Sequence, residues 1–383
     1  MAARVPKVLV VSASVGAGHD QAAKAVAAGI ERRCEAEIEI VDFMGAGNSY
    51  LNMLVKEAYL KVIGFSPNLY ELLYRWAQTP QRYFKVQDMV ARTMKRAMLR
   101  LCQEYRPNIV ICTHPFPLSA AAYLRKNRML DATLIAIMTD FSVHPLWVYS
   151  EVDNYFVATR EMERELIKQG IAAGRVYSTG IPIGYGFSQA ADRVIVQGEL
   201  GFDKDVPTVL FMGGGLGLGP VEEAIKGLNA GEVLLQIIAV AGKNAALQRQ
   251  LEMMAKASRQ RMVVTGYTQR VRELMAAADI LITKPGALTL SEALASALPM
   301  VLFNTIPGQE EENAKFVIRN GAALAANGVE DMNFLISDLV ANPNKLEKMK
   351  LNAQLLGRPG AADDAAVMIS NIITCCRGLA AGV

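Results

Sequence analysis

Three stretches of this 383-residue sequence put reactive side chains beside glycine or proline turns. The first is Ser14-Val15-Gly16-Ala17-Gly18-His19-Asp20. Gly16 and Gly18 let the backbone turn sharply and approach a ligand, and the start of the following helix favours negative charge. His19, one of three histidines, stands at the loop-to-helix junction. There it either takes a proton from an incoming hydroxyl near neutral pH or simply packs at the helix start. A dinucleotide fingerprint needs Gly or Ala where this loop has Gln21, and no Walker lysine follows.

The second stretch, VLFMGGGLGLGP over residues 209–220, holds Gly213, Gly214, Gly215, Gly217 and Gly219 between a strand and a helix beginning near Pro220 or Val221. Five glycines inside a βα turn let backbone amides or a flat ligand come close. The third is a pair of consecutive βα turns. Lys284-Pro285-Gly286 precedes a helix over 288–298, where Thr289, Glu292 and Ser296 share a face. A helix start after Gly286 suits a pyrophosphate, and Glu292 suits a pair of ribose hydroxyls. Thr289 and Glu292 equally have the spacing of a capping box, and spacing alone favours the cap. One strand later come Gln309 and Glu310-Glu311-Glu312-Asn313. Three acids in a first helical turn complement the helix dipole, while adjacent amide and carboxylate groups are what sugar hydroxyls need.

The elements that must position these residues alternate strand and helix. Strands are expected at residues 7–12, 37–42, 108–112, 133–138 and 155–158, then at 208–212, 237–240, 262–264, 280–283 and 300–303. Alternation of this kind means βαβ units around parallel sheets. The pattern lapses over 183–206, so the expected layout is an N-terminal domain over 1–183, a linker over 184–206, a C-terminal domain over 207–360 and a closing helix over 361–383. Two such units suggest Rossmann-like domains facing across a cleft, with ligands at the carboxyl ends of the strands.

Composition excludes other classes. The chain is 52% apolar and 20% charged, with a net charge of +3, too small to imply nucleic acid. Five cysteines lack disulfide or zinc spacing, no secretory signal is visible, and no apolar run reaches the ~18 residues of a membrane span. A cytoplasmic setting is expected. Asp203-Lys204-Asp205 spells a metal-binding D-x-D, but it lies before a strand and reads as a solvated turn. Residues 50–106 carry ten basic and four acidic residues, a local +6, interleaved with aromatics that include Trp76.

The segment KPGALTLSEALASALPMVLFNTIPGQEEENAKFVIRNGAA closely resembles the donor-binding region of family 28 glycosyltransferases. SASVGAGHDQAA, MTDFSVHPLWV, STGIPI, FMGGGLGLG, AGKN and VVTGY, met in that order, resemble more narrowly the bacterial diacylglycerol glucosyltransferases and plant-type monogalactosyldiacylglycerol synthases. The resemblance covers nearly the whole chain. It implies the α/β GT-B fold, with the acceptor in the N-terminal domain and a UDP-sugar, UDP-glucose or UDP-galactose, in the C-terminal one. It implies that Glu292 holds the ribose, that Gln309 and Glu310 hold the sugar, that Gly214 and Gly215 face the phosphates, and that backbone near Tyr267 borders the uracil. It implies His19 as catalytic base, with Asp140 the alternative, and inverting transfer to diacylglycerol or a glycosyl-diacylglycerol without cofactor or metal. It also gives the basic segment a role. Lys56, Lys61, Trp76, Arg92, Lys95 and Arg96 would lie on an anionic membrane at the inner face of the cell membrane. The competing readings are a UDP-N-acetylglucosamine 2-epimerase, a lipid-linked peptidoglycan-precursor transferase and a non-catalytic UDP-sugar sensor. The scarcity of histidines, the SASVGAGHDQAA and TDFSVHPLWV segments, and the intact His19 and Asp140 argue against them in turn.

Overall fold

The structure is a computed structural model that describes residues 5–14, 17–44, 80–189, 191–213, 221–231, 233–305 and 307–380. The chain forms two compact units, residues 1–185 with 360–383, and residues 186–359.

The first unit holds a six-stranded sheet in the order β2-β1-β3-β4-β5-β6. Its strands are Lys7–Ser12 (β1), Glu37–Asp42 (β2), Ile109–Cys112 (β3), Thr133–Ile137 (β4), Asn154–Val157 (β5) and Val176–Ser178 (β6). Every neighbouring pair is parallel. A parallel sheet is covered on both faces, which is why its central strands are mostly apolar runs with every residue of β3 buried. Because β2 and β3 flank β1 on opposite sides, strand order reverses at β1. The crevice outside the carboxyl ends of β1 and β3 is therefore a switch point, where ligands settle in such sheets.

Helix Ala17–Glu31 (α1) covers one face through Ala23, Val26, Ala27 and Ile30. The closing helix, Ala361–Ala380, belongs to this unit. Its Ala365, Ala366, Ile369 and Ile373 pack in the same core as the α1 residues. Contact is close enough that a Cβ on Gly29 would stand 2.8 Å from the Cβ of Ala366. Arg32 and Arg33 at the end of α1 both pair with Asp363.

The second unit repeats the plan with strand order β12-β11-β10-β7-β8-β9, again all parallel. The strands are Thr208–Met212 (β7), Gln236–Val240 (β8), Arg261–Thr265 (β9), Ile280–Thr283 (β10), Met300–Leu302 (β11) and Ala323–Ala325 (β12). Here the order reverses between β7 and β10, so the switch point lies outside Met212 and Thr283. The segment expected as a linker contains helix Arg193–Leu200, capped by Asp192, whose Arg193 pairs with Asp279 of the second unit. Sequence patterning omitted the edge strands β6 and β12. Each is three residues long, too short for a period to show.

Candidate active site

In the first unit the switch point is where the histidine loop lies. α1 begins at Ala17, so Gly18 and His19 sit inside its first turn. Gly16 lies outside the described residues. Asp42 accepts hydrogen bonds from the amides of Ser14 (2.9 Å) and Met44 (3.1 Å), so it braces the loop from the end of β2.

The half-buried His19 is held on one nitrogen. Its Nδ1 lies 2.9 Å from the carbonyl oxygen of Thr113 and 2.8 Å from Oγ1 of Thr139. The Thr113 hydroxyl donates back to the carbonyl of His19 (3.1 Å), and that of Thr139 donates to the carbonyl of Thr113 (3.2 Å). A carbonyl oxygen only accepts, so Nδ1 must carry the hydrogen and the neutral ring keeps its lone pair on Nε2. Burial lowers the His19 pKa, against smaller opposing effects of the Thr113 contact and Asp20. The ring of His114 stands edge-on at 4.5 Å, and its pKa is pushed well below the usual value by burial and by His19. The site thus presents a neutral base with a defined tautomer. Asp140, directly after Thr139, is buried at the carboxyl end of β4. Sequence reading missed Thr113, Thr139 and His114. The only hint was their position just past apolar strands.

In the second unit the Lys284 turn, after β10, stands at the other switch point, and the Gln309 turn follows the neighbouring strand β11. The Thr283 hydroxyl donates to the Met212 carbonyl (2.9 Å), tying the end of β10 to the end of β7. Gly214 and Gly215 lie outside the described residues. Helix Ala287–Ala295 follows, with Gly286 as its N-cap and no side-chain cap. The capping-box alternative for Thr289 and Glu292 is therefore overturned. Gly286 occupies the cap, which puts Thr289 in the third helical position and Glu292 in the second turn, beyond reach of the cap amide. The first amides of this helix have no side-chain acceptor, the condition in which a helix start receives an anion. Glu292 is half-buried with no hydrogen bond or ion pair among the described residues, and burial raises its pKa to about 8.

Gln309 and Glu310 open helix Gln309–Arg319 behind Gly308, whose φ of 102° suits only glycine. The acidic run divides. Glu311 and Glu312 pair with the exposed Lys315 at 2.8 and 2.9 Å, whereas Glu310 pairs with Lys284 of the preceding turn at 2.5 Å. The buried Asn313 reaches the Pro285 carbonyl at 3.5 Å. Tyr267, after β9, is half exposed, with the Lys243 ammonium 5.5 Å above its ring.

Asp203-Lys204-Asp205 forms an exposed turn in which Asp203 accepts the Asp205 amide (3.0 Å). Among the described residues no group of three or more His, Cys, Asp or Glu is placed to hold a metal ion, and no helix is long and apolar enough to cross a membrane.

Of the basic segment, helix Pro80–Tyr105 is described from its first residue, and Lys56, Lys61 and Trp76 fall outside. Ala91, Met94, Met98 and Cys102 form its buried stripe. Arg92, Arg96 and Arg100 recur at every fourth residue and are exposed, and Lys95 lies over the Tyr123 ring.

Residues 19–183 match the model for monogalactosyldiacylglycerol synthase, and residues 208–365 match the model for the glycosyltransferase family 28 C-terminal domain. The processive diacylglycerol beta-glucosyltransferase of Bacillus thuringiensis is 32% identical over 359 residues, covering 94% of this chain and 92% of that protein. The chain belongs to glycosyltransferase family 28, in the branch of the diacylglycerol glucosyltransferases. It is an enzyme, a UDP-sugar hexosyltransferase of that family. The fold is GT-B. Acinetobacter baumannii MurG superposes with a TM-score of 0.60 at 16% identity, over 96% of this chain and 99% of that one. The Staphylococcus aureus MnaA-UDP structure gives 0.62 at 12% identity over 94% of each. At such identities both speak to fold alone.

Proposed function

We propose that this transferase moves a hexose from a UDP-hexose to the hydroxyl of diacylglycerol, or of a glycosyl-diacylglycerol, with inversion at the sugar. The observation that carries the acceptor is the likeness to processive diacylglycerol beta-glucosyltransferases, which runs through both units at 32% identity. The name of those relatives favours glucose over galactose.

The chemistry rests on two sets of residues. In the second unit, Glu292 takes the ribose hydroxyls, Gln309 and Glu310 take the hexose, and backbone near Tyr267 borders the uracil. The uncapped helix start after Gly286 and the glycine loop with Gly214 and Gly215 take the diphosphate. In the first unit, Nε2 of His19 removes the proton of the acceptor hydroxyl. The hydroxyl oxygen bonds to the anomeric carbon from the side opposite the leaving group, the bond from that carbon to the UDP oxygen breaks, and configuration inverts. The charge left on UDP is met by backbone amides and the helix start. His19 becomes an imidazolium whose Nδ1–H still donates to Thr113. Asp140 is the alternative base, and H19A and D140N measured side by side separate the two.

The acceptor is a membrane lipid, so the enzyme must work at a surface. The arginine row on helix Pro80–Tyr105 supports peripheral attachment to anionic lipid at the inner face of the membrane. Lys56, Lys61 and Trp76 are assigned to the same surface on sequence alone.

The test is incubation with diacylglycerol liposomes and UDP-glucose or UDP-galactose in turn, with lipids read by mass spectrometry. A glucosyl-diacylglycerol series from UDP-glucose is expected. Galactolipid alone would overturn the choice of sugar, and no glycolipid from either donor would overturn the acceptor.

A further inference from the structure

Lys284 and Glu310 come from different βα turns, one after β10 and one after β11, yet Lys284 Nζ lies 2.5 Å from Glu310 Oε1. Both side chains are mostly buried, at 26% and 18% exposure. The contact is selective. Glu311 and Glu312 pair with Lys315 on their own helix, while Glu310 pairs across to the turn that opens the neighbouring helix. Asn313, one turn further along, reaches the same loop through the Pro285 carbonyl.

We propose that Lys284 is a positioning residue for donor-sugar recognition: its ammonium anchors Oε1 of Glu310 and so sets the plane of the carboxylate that receives the hexose hydroxyls. This rests on the reading of Glu310 as a sugar ligand. A glutamate has three rotatable side-chain bonds, and an unanchored carboxylate at a helix start would sample many orientations. A charge-assisted bond at this distance selects one, with Oε1 accepting from the ammonium. Hexoses that differ at one hydroxyl are told apart by the direction of such acceptors, so the lysine contributes to sugar choice without touching the sugar.

The experiment is calorimetric titration of the full chain with UDP and, separately, with UDP-glucose, for wild type, K284M, K284R and E310Q, with thermal unfolding recorded for each. K284M is expected to weaken UDP-glucose about tenfold while UDP stays within about twofold, the size of one charge-assisted hydrogen bond. K284R, which keeps the ion pair, restores most of the loss. Equal weakening of UDP and UDP-glucose would mean that Lys284 binds the nucleotide itself, and overturns the proposal. A lower unfolding temperature with both affinities unchanged would mean a purely structural pair, and overturns it too. E310Q tests the underlying reading: it should weaken UDP-glucose and spare UDP. If E310Q affects neither ligand, the assignment of Glu310 to the sugar fails. If E310Q behaves as expected and K284M does not, only the role of Lys284 fails. Should K284M not fold, K284Q is read by the same comparison.

Discussion

His19 Nδ1 lies 2.9 Å from the carbonyl oxygen of Thr113, and this contact leaves Nε2 as the nitrogen that can take a proton. Many catalytic histidines are oriented by a carboxylate. Here a backbone carbonyl does that work, with the Thr139 hydroxyl beside it at 2.8 Å. H19A is expected to lower turnover by roughly 10²–10⁴-fold, the usual share of general base catalysis, with UDP affinity kept. T139V should lower kcat about tenfold with little change in KM, and T139S should recover it, because the hydroxyl and not the methyl group fixes the ring. Steady-state kinetics on diacylglycerol liposomes checks both. Because burial lowers the His19 pKa, the acid limb of kcat/KM is expected below pH 6.5.

The three histidines make stability fall in acid. Burial lowers the pKa of His19, His114 and His144, the last to about 4. A histidine with a lowered folded pKa takes up its proton on unfolding once the pH drops below the unfolded value near 6.5. Its stabilisation is therefore complete above 6.5 and is lost as pH falls towards the folded pKa. His144 alone accounts for about 3 kcal/mol between pH 6.5 and 4. Urea unfolding across that range should show the decline, and H144Q should flatten part of it.

Glu292 has the opposite sign. Its folded pKa is raised to about 8 by burial, so its contribution is fully present below about 4.5 and is lost as pH rises towards 8. In the free enzyme at pH 7 the carboxyl is mostly protonated. Ribose hydroxyls that donate to it favour the carboxylate, so UDP-glucose binding at pH 7 is expected to release a proton. Calorimetry in buffers of different ionisation heat measures the release. Wild type should lose a large fraction of one proton and E292Q none. UDP-glucose is the better probe, since its diphosphate has no proton to lose near neutrality.

Arg96 and Arg100 are exposed on the face of helix Pro80–Tyr105 opposite Met94 and Met98. Each basic residue near an anionic bilayer contributes about 1 kcal/mol. R96Q/R100Q should therefore weaken binding to phosphatidylglycerol vesicles roughly 30-fold and leave UDP affinity unchanged. Vesicle co-sedimentation at low and high salt checks it, and unchanged binding of the variant would remove this face from the membrane surface.

Much of the fold was legible because parallel strands buried on both faces must be continuous apolar runs. IVIC after Asn108 and ILIT before Lys284 can hardly be anything else. What could not be read were features without a period. β6 and β12 are three residues long, and the Thr289/Glu292 spacing satisfies a capping box that the chain does not make, because Gly286 starts the helix. Whether Glu292 was a cap or a free carboxyl depended on where one helix begins, and spacing is blind to a shift of three residues.

The sequence by itself determined that two βαβ series exist, that each opens with a glycine loop, and that His19, Glu292 and Glu310 follow strands rather than stand within them. Local periodicity and turn chemistry suffice for that. Only the tertiary structure decided which carboxylates are partnered and which nitrogen of His19 is basic. Those depend on residues far apart in the chain: Thr113 and Thr139 around His19, and Lys284 against Glu310. Strand order brings them together: the reversal at β1 sets the loops after β1 and β3 side by side, and the pairing of β10 with β11 does so for Lys284 and Glu310, and no spacing along the chain encodes that order.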